Sequence, residues 1–263
     1  MLGKILEVRG KEFSLHVTIK CSGKQRFKIW AEDKGRINSK YAERCIDVEN
    51  KRTIFLSFPC SPEELFIGIT NMQIKNDKNF TANFEVKPLA KYNIWLDEQT
   101  TTFLKLSTHF SQVCGYEKAS NKGRLFTTNK GEFSIKYYPI IKDFKTNKLL
   151  NTPARIGHQT GKIEVSKAKF DKYTIPMRMM ILLHEFSHKF KNPTIGLPIA
   201  DETGADINGL YIYLGLGYSK IDAICVFANV FLKAQTQSNM KRMRKIMEYI
   251  QKFENGEFAK REY

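Results

Sequence analysis

Five consecutive residues, His184-Glu185-Phe186-Ser187-His188, follow directly on the apolar run Met179-Met180-Ile181-Leu182-Leu183. Such a run predicts a buried helix, and residues four apart on a helix stand one above the other on the same face. Both imidazoles can then reach one cation, and zinc is the ion whose sites use histidines in this way. Glu185 projects beside them, where it can act as general base on a zinc-bound water. The chain has only five histidines, so chance produces this pattern in roughly one per cent of such sequences.

Two histidines do not complete a catalytic zinc site, which takes three protein ligands and leaves a fourth position open. The segment Asp201-Glu202-Thr203-Gly204-Ala205-Asp206 opens the next predicted helix. Glu202 lies far enough beyond His188 for the chain to turn back, with Asp201 as the competing carboxylate. Asp206 is one turn further on the same face, where it can accept the free N–H of a zinc-bound imidazole and fix its orientation. The expected site is therefore His184, His188 and Glu202 around one Zn(2+) per chain, with Glu185 as base and Asp206 behind the ligands. A tetrahedral oxyanion needs a second donor besides the metal. His158, Tyr211 and Tyr213 are the candidates, and the residues alone do not choose among them.

The paired patterns H-E-x-x-H and E-x-x-A-D resemble the gluzincins, a branch of the zincin metallopeptidases, over about residues 100–255. The resemblance implies that Glu202 is the third ligand, which the spacing also permits. It implies a zinc metalloendopeptidase acting on an extended polypeptide, with residues 162–166 similar to the edge strand along which such a substrate lies antiparallel. The run from Arg155-Ile156-Gly157-His158 through the C-terminal helices also resembles zincin-like proteins of tailed bacteriophages, including those of gut bacteria. That implies an alternative role, a structural or cargo component of a virion that retains the fold and has phage structural proteins as partners.

The elements around these residues read as α+β. Residues 4–8, 13–19, 25–30, 53–58, 64–69 and 79–86 alternate like strands, with Ser22-Gly23-Lys24 and Asp33-Lys34-Gly35 as turns between them. This predicts a β-sandwich-like module over residues 1–90. A zincin-like domain over residues 91–263 follows, with a small mixed sheet, the motif helix and C-terminal helices. Residues 100–113 have helical periodicity, and 124–127, 132–138 and 162–166 read as strands. Pro176 suits the first turn of the motif helix and Asn192-Pro193 its end. A second helix spans about 199–214, stopped by Gly215 and Gly217. Ser219 and Asp222 read as a capping box for a third, apolar helix that includes Phe231. A fourth, over about 239–253, is amphipathic and basic.

The formal net charge is +16, from 43 basic and 27 acidic residues. A third reading is therefore a polyanion-binding protein. The lysines are scattered, however, no nucleic-acid motif accompanies them, and the basic face Lys241-Arg242-Arg244-Lys245 reads as solvated. Five cysteines without a C-x-x-C pair point to free thiols in a reducing compartment. No apolar run approaches the ~18 residues of a membrane span, and the N-terminus lacks the apolar core of a signal peptide. The expected location is cytoplasmic (the host cytoplasm for a phage protein) or within a virion.

Overall fold

The computed structural model describes residues 1–73, 80–143, 145–157, 159–190, 202–234 and 236–262. Its architecture is α+β. The N-terminal strands are β1 (Leu2–Glu7), β2 (Phe13–Asp33), β3 (Lys40–Phe58), β4 (Glu64–Asn71) and β5 (Phe80–Lys87). Hydrogen bonding joins all five in one antiparallel sheet, ordered β1-β4-β2-β3 with β5 also on β2. On one side of β2, residues 14–21 pair with β5 and residues 27–33 pair with β4; β3 runs along the other side.

The two strands expected at 13–19 and 25–30 are one. Ser22-Gly23-Lys24 is not a turn but part of an irregularity inside β2, where the register shifts between Lys20 and Lys24. Gly23 takes a φ of +68° there, a conformation that glycine adopts without steric cost. Alternation resumes in phase beyond it. Leu15, Val17, Ile19, Phe27, Ile29 and Ala31 are therefore all buried on one face.

The second part begins with β6 (Lys91–Tyr92), which pairs with the C-terminal β11 (Arg261–Glu262). Helix α1 (Glu98–Val113) follows, capped by the Asp97 carboxylate, which accepts the Thr100 N–H at 2.7 Å. A four-stranded mixed sheet is built from β7 (Arg124–Thr127), β8 (Ser134–Tyr138), β9 (Ala154–Ile156) and β10 (Ile163–Ser166), in the order β7-β8-β10-β9. The strand expected at the edge, 162–166, is thus interior, parallel to β8 and antiparallel to β9. The edge is β9, whose three residues are too few to show a strand alternation in the sequence.

The remaining helices are α2 (Lys167–Phe170), α3 (Ile175–Ser187), α4 (Glu202–Gly215), α5 (Lys220–Val226) and α6 (Gln237–Glu254). A single π-helical turn, Phe227–Phe231, continues α5. Helix α3 stops at Ser187 with His188 as its C-cap, short of Asn192-Pro193, which lies outside the described residues. The Ser219 hydroxyl caps α5 by accepting the Ile221 N–H. Asp222 does not complete the expected box: its carboxylate takes both Nη atoms of Arg44 on β3, at 2.8 and 2.6 Å. A second cation crosses between the parts. Arg178 of α3, 1% exposed, donates to the carbonyls of Ser111, Asn38 and Asp171. One apolar cluster runs through the N-terminal sheet and the helices alike. Among the described residues, no helix is long and apolar enough to cross a membrane.

Candidate metal site

Helix α3 is apolar on nearly every side, which commits it to the interior. Every residue from Ile175 to Ser187 except Met177 is buried. His184 is therefore carried inside, 3% exposed. His188 caps the helix with φ −67° and ψ −22°, still helical, so the four-residue spacing survives the helix end. The two Nε2 atoms face each other at 3.1 Å.

Glu202 opens α4 and faces the same point. Its Oε2 lies 3.7 Å from His184 Nε2, and its Oε1 lies 3.7 Å from His188 Nε2. A tetrahedral zinc with ligands at about 2.0–2.1 Å sets neighbouring donor atoms roughly 3.3–3.4 Å apart. The two nitrogens stand a little closer than that edge length, and the nearer Glu202 oxygen of each stands a little farther, a different oxygen in each case. A modest shift of the exposed Glu202 carboxylate would seat one oxygen with the two imidazoles on a zinc-sized ion. Among the described residues these three form the one His/Cys/Asp/Glu cluster with donor atoms close enough to share a metal.

Gly209 lets α4 lie this close to α3. A Cβ there would stand 3.1 Å from His184 N and from the Leu183 carbonyl carbon. One turn after Glu202, Asp206 is completely buried. Its Oδ1 is 3.0 Å from His184 Nδ1, at hydrogen-bonding distance with the geometry off the ideal line. That contact leaves Nε2 for a metal.

The other oxygen of Asp206 reveals a residue that sequence reasoning assigned to solvent. Arg242 of α6 donates to Asp206 Oδ2 through Nε at 3.0 Å and Nη2 at 2.7 Å, and its Nη2 is 3.3 Å from Glu202 Oε2. Its side chain is only 14% exposed. The signal was present in the helical period. Arg242 stands four residues before Ile246 and seven before Tyr249, at the head of the buried stripe Ile246, Tyr249, Ile250, Phe253. A second unanticipated contact is Phe231, read simply as core. Its ring lies over the His184 imidazole, with centroids 4.1 Å apart and planes 30° apart. No local pattern announces the π-turn that aims it.

Glu185 is buried beside the cluster, 7% exposed. Burial pushes its carboxyl above the usual range, and the charge of Glu202 adds to this; His184 and the backbone N–H of Ile156 on β9 pull the other way. Glu185 therefore sits next to the edge strand β9. For His184, burial disfavours the charged form, but contact with Asp206 and the charges of Glu185, Asp206 and Glu202 outweigh it, raising the pKa.

The structure does not bring the two tyrosines to the cluster. Tyr211 is 2% exposed and packs near Phe253, with ring centroids 6.0 Å apart. Tyr213 is fully buried and stacked on Tyr218 at 4.6 Å. They lie nine and eleven residues beyond Glu202, about 14 and 17 Å further along α4. His158 and Asp201 lie outside the described residues. Ser187 is tied into the interior, donating to the Leu183 carbonyl and accepting from Asn208. No protein family, curated protein or solved structure matches this chain.

Proposed function

We propose that this protein is a zinc-dependent metallopeptidase of the gluzincin type that hydrolyses peptide bonds in extended polypeptides. The observation that supports this most is the convergence of His184, His188 and Glu202 on one point, with buried Glu185 alongside. Two imidazoles and one carboxylate form a donor set that suits catalytic zinc. When bound, such an ion lowers the pKa of a water towards ~7 and polarises a peptide carbonyl.

The chain's own residues do the rest. Asp206 holds the His184 ring with Nε2 turned inward. Glu185, whose proton affinity burial raises, takes a proton from the attacking water and returns it to the leaving amine. The outer edge of β9 offers backbone groups along which an extended substrate aligns, next to Glu185.

The test is cleavage of a mixed peptide library by zinc-loaded protein and by Glu185→Gln. The variant should keep its metal and lose about 10²–10⁴-fold in turnover. Equal turnover by the variant, or no cleavage by the zinc-loaded wild type, would count against the reading.

A further inference from the structure

An aromatic ring borders the candidate metal cluster on the side of His184. Phe231 lies over that imidazole, with centroids 4.1 Å apart, yet it is only half-buried. Its neighbour Phe227, 5.8 Å away between ring centroids, is fully buried. The inner end of the π-turn is thus fixed in the core, while the ring at its outer end keeps part of its surface in solvent. The Leu232 N–H bonds the Phe227 carbonyl five residues back, at 2.9 Å, which makes the turn π-helical. Such single turns are rare and recur mostly at functional positions.

We propose that Phe231 is a specificity residue: its ring forms one wall of a subsite that takes an apolar side chain from a residue flanking the scissile bond. The inference rests on the metallopeptidase reading of the cluster. The cations nearby are already engaged. Arg242 is held by Asp206 and Glu202, and Lys189, next to His188, donates to the Gln159 carbonyl at 2.8 Å. The Phe231 ring is left as apolar surface beside the donors, where covering it removes area from water.

His184 turns Nε2 toward the other two donors. A substrate carbonyl held among them has its own Cβ about 2.5 Å from the reacting carbon, on a backbone that passes beside the ring covering His184. A leucine-sized side chain there buries itself against Phe231. Glycine has nothing to bury, and a charged side chain loses hydration without gaining a partner.

The probes are leucine hydroxamate and glycine hydroxamate, titrated by calorimetry into the zinc-loaded chain. Both carry the same chelating group, so their difference reports the side chain. Leucine hydroxamate should bind about tenfold more tightly. Phe231→Gln should cut that ratio to about threefold or less, with zinc content and glycine hydroxamate affinity unchanged, and Phe231→Leu should keep the preference. In a mixed peptide library the wild type should cut beside Leu, Ile, Met or Phe, and Phe231→Gln should spread its cuts. A wild-type ratio near one, or a preference that survives Phe231→Gln, overturns the subsite. So does loss of zinc or of glycine hydroxamate binding in Phe231→Gln, which would make Phe231 only a support for His184. A wild type that binds neither probe fails the metal reading itself, and the subsite with it.

Discussion

Arg242 donates twice to one oxygen of Asp206, at 2.7 and 3.0 Å, although the two residues are 36 positions apart. The second oxygen of that carboxylate lies 3.0 Å from His184. The C-terminal helix thus supplies the counter-charge that lets a fully buried carboxylate sit behind the buried His184 of the candidate metal cluster. An unpaired carboxylate in that position would be costly, because its desolvation would go uncompensated.

Arg242→Met should therefore cost about 3–5 kcal/mol of stability, the usual penalty for breaking one side of a buried pair. It should also weaken metal binding about 10–100-fold through loss of Asp206's orientation. Arg242→Lys, which keeps the charge and loses the fork, should fall between. Denaturant unfolding and competitive chelator titration measure the two effects. Wild-type metal affinity in the Met variant would show that Asp206 needs no partner.

Gly209→Ala tests the approach of α4 to α3. The added methyl would meet backbone at 3.1 Å, and backbone yields less readily than a side chain. The gain in helix propensity, about 1 kcal/mol, opposes an overpacking cost of about 1–3 kcal/mol. The expected result is net destabilisation with weaker metal binding, because Glu202 and Asp206 ride on the displaced helix. A stabilised variant of unchanged metal affinity would mean that the helices part without moving the site.

Truncating Arg44 to Met should destabilise the whole chain by about 3–5 kcal/mol. It leaves Asp222, whose side chain is 5% exposed, without its bidentate partner across the sheet–helix junction. Arg44→Met with Asp222→Leu should recover much of the loss, which a double-mutant cycle in denaturant would reveal. Additive losses would mean that the pair does not couple the two parts.

Alkaline pH should weaken the fold through its buried thiols. Burial pushes Cys60 and Cys114 from 9.0 up to about 11. Their folded pKa values exceed the unfolded ones, so the contribution is complete below about pH 9 and is lost as pH rises through about 11. At pH 10.5 the loss is roughly 2 kcal/mol for each thiol. Buried Tyr213 and Tyr218, also raised, act in the same direction. Metal-free Cys114→Ala should lose less stability between pH 8 and 10.5 than wild type. Thiol reagent at pH 8 should label exposed Cys45 before Cys60 or Cys114. An identical pH dependence in the variant would remove the thiol explanation.

The convergence of these residues was legible because helical spacing is local: four residues fix the relation of His184 to His188, and Asp206 follows Glu202 by the same rule. The residues that support it were harder to read. Arg242 looked like one member of a basic face until its place at the head of an apolar stripe was weighed. Phe231 reaches His184 through a π-turn that no short pattern specifies. In the sheet, Gly23 resembled a turn because its positive φ serves a β-strand irregularity as well as a reversal. The edge role passed from 162–166 to Ala154–Ile156 because strand order is set by long-range pairing, which alternation does not encode.

The most direct test of the central claim is metal content. Purified chain incubated with zinc and then freed of excess ion should retain about one zinc per chain by elemental mass spectrometry. His184→Ala with His188→Ala, folded by circular dichroism, should retain none, and Glu185→Gln should retain it fully. A folded wild-type chain that holds no zinc, or a double variant that holds as much as wild type, would contradict the account.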